Sequence, residues 1–418
     1  MLPTTTIGTN INNFNRLDAL LALRGFACLM VVIPHCSPPR NAIFYKGYDL
    51  SWLIFSPGGV GVWIFFSLSG YLMGKAFYTE RYTADVPGVL NFWRNRLLRI
   101  CPLYYFAVLI LALFVYTDIF KIENWGYLFR IITFTYNQSL PPTWNGAMWS
   151  LSTEVQFYIL VPFFYIFLLH RLVSKKKIVI TTIVIIFVTF VIKLIFWVSL
   201  RHQISEEIKY VIKYSYTPLV TNMDLFLCGF IVNGLLFKHE EIIANSKKIK
   251  YLNHISYMKY LAIILLITLY MLTAHHLYHQ ELWNLPERAG KGIRTFTTFF
   301  IWQPITALIT SFFIFVFEFD IYQPSIKNET LSFSTILRNP LRVLELFGNI
   351  SYGVYIWHIP IITKISAIFT SQIPIEAFYM RLIATLFLST LLASITYFVI
   401  EVPCSRWKTY QKIEIVKD

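Results

Sequence analysis

Ala22-Leu23-Arg24-Gly25-Phe26-Ala27-Cys28-Leu29-Met30-Val31-Val32-Ile33-Pro34-His35 forms the heart of the first long apolar run, and it carries two ionisable side chains. A guanidinium and an imidazole are unfavourable in hydrocarbon. An ionisable residue inside a membrane segment therefore marks a functional site by default. Arg24 and His35 are separated by about eleven steps of helix, close to three turns. They lie on nearly the same face, roughly 16 Å apart along the axis. One face of one helix presents a cationic anchor and, further along, a titratable base.

The rest of the chain has the same character. Of its 418 residues 56% are apolar and only 14% charged, with a mean hydropathy of +0.57. A soluble domain carries about 25% charged residues. The expected fold is all-α, a polytopic membrane protein with about ten transmembrane helices. The spans fall near residues 17–36, 52–74, 100–118, 147–169, 178–200, 218–237, 258–274, 297–317, 345–367 and 376–400. The second is rich in glycine (Gly58, Gly59, Gly61, Gly70, Gly74) and is expected to be broken or re-entrant. The seventh is short.

Most of the 36 lysines and arginines fall in alternate loops, which places both termini in the cytoplasm. The chain then divides into a cytoplasmic N-terminal segment, 1–16, an integral-membrane domain, 17–406, and a cytoplasmic tail, 407–418. No loop is long enough for a second core. Gln280 to Arg294 reads as an irregular outer loop. The net charge of +14 reflects loop lysines and arginines facing anionic lipid, so no nucleic-acid partner is expected. The five cysteines lack C-x-x-C spacing and read as ordinary apolar residues. No cleavable leader is evident, and the first helix is expected to act as an uncleaved insertion signal.

Five stretches carry candidate chemistry. His35 can accept a proton from a hydroxyl near neutral pH. In Asn91-Phe92-Trp93-Arg94-Asn95-Arg96-Leu97-Leu98-Arg99, Arg96 and Arg99 share a helix face. Two guanidiniums there suit a phosphate or pyrophosphate, or serve as positive-inside anchors. Glu154, in Trp149-Ser150-Leu151-Ser152-Thr153-Glu154-Val155-Gln156-Phe157-Tyr158, lies about two turns inside the fourth span. A buried carboxylate needs a partner, with Arg24, His35 or a structural arginine as candidates. Ser69, in Phe65-Phe66-Ser67-Leu68-Ser69-Gly70, is a packing or hydrogen-bonding residue, or less readily an acylated nucleophile. His358, in Ser351-Tyr352-Gly353-Val354-Tyr355-Ile356-Trp357-His358-Ile359-Pro360, is either structural or catalytic. His275, His276 and His279 form a cluster by an outer interface. His275 and His279 have metal-ligand spacing, yet without an accompanying carboxylate motif no metal is expected.

Together these pieces resemble the acyltransferase-3 family of integral-membrane acyltransferases. The resemblance rests on Arg24-x10-His35, Phe65-Phe66-x-Leu68-Ser69-Gly70, Arg96-x-x-Arg99-x-x-Pro102 and Trp149-Ser150-Leu151-x-x-Glu154-x-x-Phe157-Tyr158. Ser351-Tyr352-x-x-Tyr355-x-Trp357-His358-x-Pro360 and Glu401-x-Pro403 complete it, in the family's order, over nearly the whole chain. One departure is that the family commonly has an aspartate three residues before the arginine, whereas Asp18 precedes Arg24 by six. Asp18 is therefore left out of the core site.

The resemblance implies a plasma-membrane enzyme that takes an acyl group, acetyl by default, from cytoplasmic acyl-CoA. The acceptor would be a hydroxyl of a cell-surface or secreted glycan, or of a lipid-linked saccharide. It implies that His35 is the catalytic histidine and that Arg96 and Arg99 hold the acyl-CoA. Arg24 and Glu154 complete the site as support. Some members add an esterase-like domain at the C-terminus, which the short tail here is not expected to contain. The alternative is an exporter or flippase of a glycan or lipid-linked precursor, since ionisable residues also mark transport pathways. Against it, no inverted repeat is visible in the sequence.

Overall fold

The computed structural model describes residues 17–137, 144–206, 208–243, 248–283, 295–319 and 332–408. The N-terminal segment 1–16, most of the segment Gln280 to Arg294 expected to be an irregular outer loop, and the tail beyond residue 408 lie outside the described residues.

Ten long helices dominate: α1 (Ala19–His35), α2 (Gly58–Tyr78), α3 (Val86–Phe114), α4 (Trp149–Leu169), α5 (Lys175–Ser199), α6 (Met223–Ile243), α7 (Lys248–Tyr278), α8 (Gln303–Phe319), α9 (Val343–Ile365) and α10 (Pro374–Thr396). Each coincides with an expected span, although α3 starts earlier than expected because Asp85 caps it, accepting from the Gly88 N–H. Among the described residues, seven helical segments are long and apolar enough to cross a membrane. Helix α1 and the Met223–Phe237 stretch are apolar but shorter. Helix α9 misses the mark because Asn349, Tyr352, Trp357 and His358 lower its hydropathy. The sheet among the described residues is a two-stranded hairpin, Phe44–Tyr45 against Tyr48–Asp49, in the loop after α1.

The second span departs in part from the sequence reading. Ser51–Ile54 forms a separate 3-10 turn and residues 55–57 are not helical, but from Gly58 to Tyr78 the helix is unbroken and its glycines permit close approach. A Cβ on Gly70 would fall 1.9 Å from the Phe226 carbonyl oxygen, and one on Gly229 would fall 1.9 Å from that of Ser67. Backbones of α2 and α6 thus meet directly, as small residues allow within membranes. The same device joins α1 to α9, where a Cβ on Gly25 would fall 1.9 Å from the Leu344 carbonyl oxygen. Helix α2 is central, 78% buried over its apolar window. Helix α5 is 17% buried and turns Val179, Ile183 and Phe187 outward, as a lipid-facing helix does.

Several charges inside the bundle are paired. Lys193 of α5 meets Asp224 of α6 at 2.7 Å, and the Gln303 amide of α8 donates to the same carboxylate at 3.1 Å. Glu318 of α8 accepts from Tyr71 and Lys75 of α2, both at 2.5 Å. Such pairs persist in low dielectric only when their hydrogen bonds are complete. Asp18 caps α1 by accepting from the Leu21 N–H at 2.9 Å, and its own N–H donates to Glu345 at 2.6 Å. Its role is to start the helix.

Gly70→Val should prevent the α2–α6 approach. The expected outcome is a loss of about 1–3 kcal/mol or more of stability, from forced separation of two backbones. Thermal denaturation of detergent-purified protein checks it, with Gly126→Val, which meets open space, as the control.

Candidate functional site

Five helices, α1, α2, α3, α4 and α9, enclose a cavity of about 120 Å³. Arg24, Ser69, Arg96, Arg99, Glu154 and Tyr355 line it. Four of the five sequence-predicted site residues therefore share one chamber. Arg24 donates through Nη2 to the Ser351 hydroxyl at 3.3 Å, while its Nε is buried without a partner. Glu154 corrects the expected pairing: it takes its hydrogen bonds from Ser69 at 2.7 Å and Tyr158 at 2.5 Å, not from a guanidinium. Tyr158 lies one turn further along α4, so a single helix face supplies both acid and phenol. Pro162 cannot donate to the Tyr158 carbonyl, and the Trp93 indole N–H of α3 does so at 3.2 Å.

At one end of the cavity three cations converge. Arg99 pairs with Glu401 at 2.6 Å, and the other carboxylate oxygen, Oε1, is buried and unpartnered. Arg96 keeps a buried, unpartnered Nε, and its guanidinium lies over the Phe92 ring. Lys408, just beyond the last helical turn, is pushed below its usual range, first by burial and then by the Arg99 and Arg96 guanidiniums. Cations crowded with too little countercharge form a favourable place for an anion.

His35 stands elsewhere. It occupies the exposed C-terminal end of α1 and does not line the cavity. Its Nδ1 lies 2.7 Å from the Val31 carbonyl oxygen. A carbonyl only accepts, so neutral His35 carries its proton on Nδ1 and leaves Nε2 as the basic atom. The His358 ring of α9 sits edge-on to it, with centroids 5.1 Å apart. His358 is fully buried, and its Nδ1 lies 2.8 Å from the Tyr355 carbonyl oxygen. Tyr355 links this pair to the cavity. It lines the chamber, bonds Ser150 at 2.7 Å, and packs its ring 5.7 Å from His358.

Each histidine is anchored beside a proline. Pro34 has no N–H for the Met30 carbonyl, and the Ser56 hydroxyl donates to it at 2.9 Å. Pro360 likewise releases the Ile356 carbonyl, which the Asn145 amide meets at 2.9 Å. Ser56, Asn145 and Lys408 contribute here and were missed by sequence reasoning, and Tyr355, noted only within its motif, was given no role. For Asn145 and Ser56 no local signal exists, because the carbonyls they satisfy are distant in sequence. Tyr355 could have been found, being one turn before His358 on the same helix. His275 packs against Trp52 and His279 at the same end of the bundle as His35, and no group able to hold a metal occurs among the described residues.

An acyltransferase-domain family model, that of the acyltransferase-3 family, matches residues 17–408. The chain belongs to the acyltransferase-3 family. It is 26% identical over 403 residues to O-acetyltransferase OatA of Staphylococcus aureus strain NCTC 8325, and equally to that of strain COL. These alignments cover 93% of this chain and 57% of the relative. A provisionally named O-acetyltransferase of Staphylococcus aureus strain COL is 23% identical over 421 residues, covering 94% and 58%. The chain thus spans less than two thirds of the length of these curated relatives. No solved structure matches it. The family makes the chamber and the histidine pair a candidate acyl-transfer site.

Two predictions test the local physics. Arg99→Ala should strand the Glu401 carboxylate and destabilise the protein, by less than the roughly 3–5 kcal/mol of a fully buried pair because Arg99 is 31% exposed. Adding Glu401→Gln should restore much of the loss, as read by thermal denaturation. Asn145→Ala should cost about 1–3 kcal/mol by leaving the Ile356 carbonyl unmet, and Asn145→Asp should fail to restore it because a carboxylate cannot donate.

Proposed function

We propose that this chain is a membrane O-acetyltransferase that moves an acetyl group from acetyl-CoA to a hydroxyl of a cell-surface or secreted glycan. The observation that carries the reading is a pair of complementary chemistries in one helix bundle. A cation cluster, Arg96 with Arg99 and Lys408, stands at the chamber, and beyond the chamber His35 turns Nδ1 to a carbonyl and keeps Nε2 as its basic atom. The family and its O-acetyltransferase relatives support the reaction class.

In this reading the ten long helices are ten crossings of the plasma membrane, with residues 17–406 as one membrane domain and both termini cytoplasmic. The donor's phosphates rest on Arg96 and Lys408, with Arg99 shared between the donor and Glu401. The pantetheine arm runs along the chamber past Arg24, Ser69 and Glu154 toward His35. Arg24 and Glu154 shape and polarise the passage without touching the transferred proton. At His35 the acceptor hydroxyl gives its proton to Nε2 as its oxygen attacks the thioester carbonyl. The C–O bond forms, the C–S bond breaks, and the proton passes to the departing thiolate. The products are an acetyl ester and free CoA.

Inverted membrane vesicles supplied with acetyl-labelled acetyl-CoA and host envelope glycan test this. Base-labile label should accumulate on the glycan with the parent chain. His35→Ala should lower the rate by about 10²–10⁴-fold, the usual worth of a general base, with normal membrane insertion. A fully active His35→Ala protein would overturn the assignment. Arg96→Ala should weaken acetyl-CoA binding by about 10-fold or more, the worth of a charge-assisted hydrogen bond, without changing insertion. Unchanged affinity would return Arg96 to simple anchoring at the membrane rim.

A further inference from the structure

We propose that His358 is the positioning partner of His35, holding the catalytic imidazole in place and stabilising the proton it acquires. This rests on the reading of His35 as the general base. Three observations carry it. The two rings meet edge-on at 5.1 Å although they are far apart in sequence. Among the side chains with buried polar atoms lacking any partner is His358, through Nε2 alone, while its Nδ1 is engaged by the Tyr355 carbonyl. Near each histidine a proline also releases a carbonyl that another segment satisfies, Met30 by Ser56 and Ile356 by Asn145. A side chain serving only to fill space at a dry helix contact has no use for an orphaned ring nitrogen, which is unfavourable when buried.

The tautomer follows from the geometry. Nδ1 of His358 faces carbonyl oxygens, so it carries the proton and Nε2 presents a lone pair. When His35 Nε2 takes the acceptor's proton, the new imidazolium forms beside the neutral, buried His358 ring. The electron-rich Nε2 of the neutral His358 ring offsets part of that charge, while the Nε2 proton of His35 stays directed at the reacting oxygen and sulfur and the Val31 carbonyl holds Nδ1–H. The proton then leaves with the CoA thiolate, and His358 ends the cycle unchanged. Tyr355, which lines the chamber, also packs its ring 5.7 Å from that of His358.

The test compares His358→Phe with His358→Gln in vesicles, using acetyl-CoA and host envelope glycan. His358→Phe keeps a ring against His35 and removes both nitrogens. His358→Gln keeps a polar atom near the Nε2 position. Under the proposal His358→Phe lowers kcat by about 10- to 100-fold with KM for acetyl-CoA unchanged within about twofold, and His358→Gln recovers most of the rate. Equal losses in both variants, a loss confined to KM, or parent-like turnover of His358→Phe would each overturn it. Should His358→Phe accumulate poorly, His358→Met takes its place in the same comparison. The parallel His35→Ala measurement separates the two readings: an active His35→Ala protein sinks the general-base assignment, whereas an inactive one with a fully active His358→Phe sinks this inference alone.

Discussion

Hydrocarbon supplies no hydrogen bonds, so a backbone carbonyl that a proline releases inside this bundle gains from a donor on another helix or loop. Pro34, Pro162 and Pro360 each release one, and Ser56, Trp93 and Asn145 answer them. These three contacts do more than repair the helices. They tie α1, α4 and α9 to neighbouring segments at the levels where His35, Tyr158 and His358 sit. The constraint that would have weakened three helices thereby fixes the position of the side chains with the most chemistry.

Close backbone approach does the complementary work. Glycines let α1 lie on α9 and α2 on α6 with almost no side chain between them. Helix α1 and helix α9 run in the same direction, so Arg24 meets Ser351 near one end and His35 meets His358 at the other. A bulkier seam would separate the histidines and open the wall of the chamber. The polar interior follows from the same arrangement, since Glu154 is held by Ser69 and Tyr158 and leaves Arg24 to Ser351.

Much of this was legible in the residues. Ten apolar runs anticipated ten long helices because hydropathy records how much of a segment hydrocarbon tolerates, a property of composition. Arg24 and Glu154 stood out because charges in such runs are rare, Arg96 and Arg99 because they share a helix face beside one, and all four converge on one cavity. The partners were not legible. Glu154 was expected beside Arg24, His35 or a structural arginine, yet its hydrogen bonds come from hydroxyls, because side-chain pairing depends on helix rotation and depth. The glycines of α2 suggested a break, and in the fold they serve packing, since glycine's lack of a Cβ suits either use.

The sequence by itself determined the class of molecule and the kinds of chemistry it carries: a membrane bundle with an intramembrane arginine, a histidine three turns on, and a basic rim. Those are local properties, readable one segment at a time. Only the tertiary structure decided that the arginines and the carboxylate share a chamber while His35 stands beyond it against His358. It also brought Lys408 to the basic end and Asn145 to the carbonyl behind Pro360. Those pairings join residues tens to hundreds of positions apart, and they are set by which helix faces meet, which no single helix specifies.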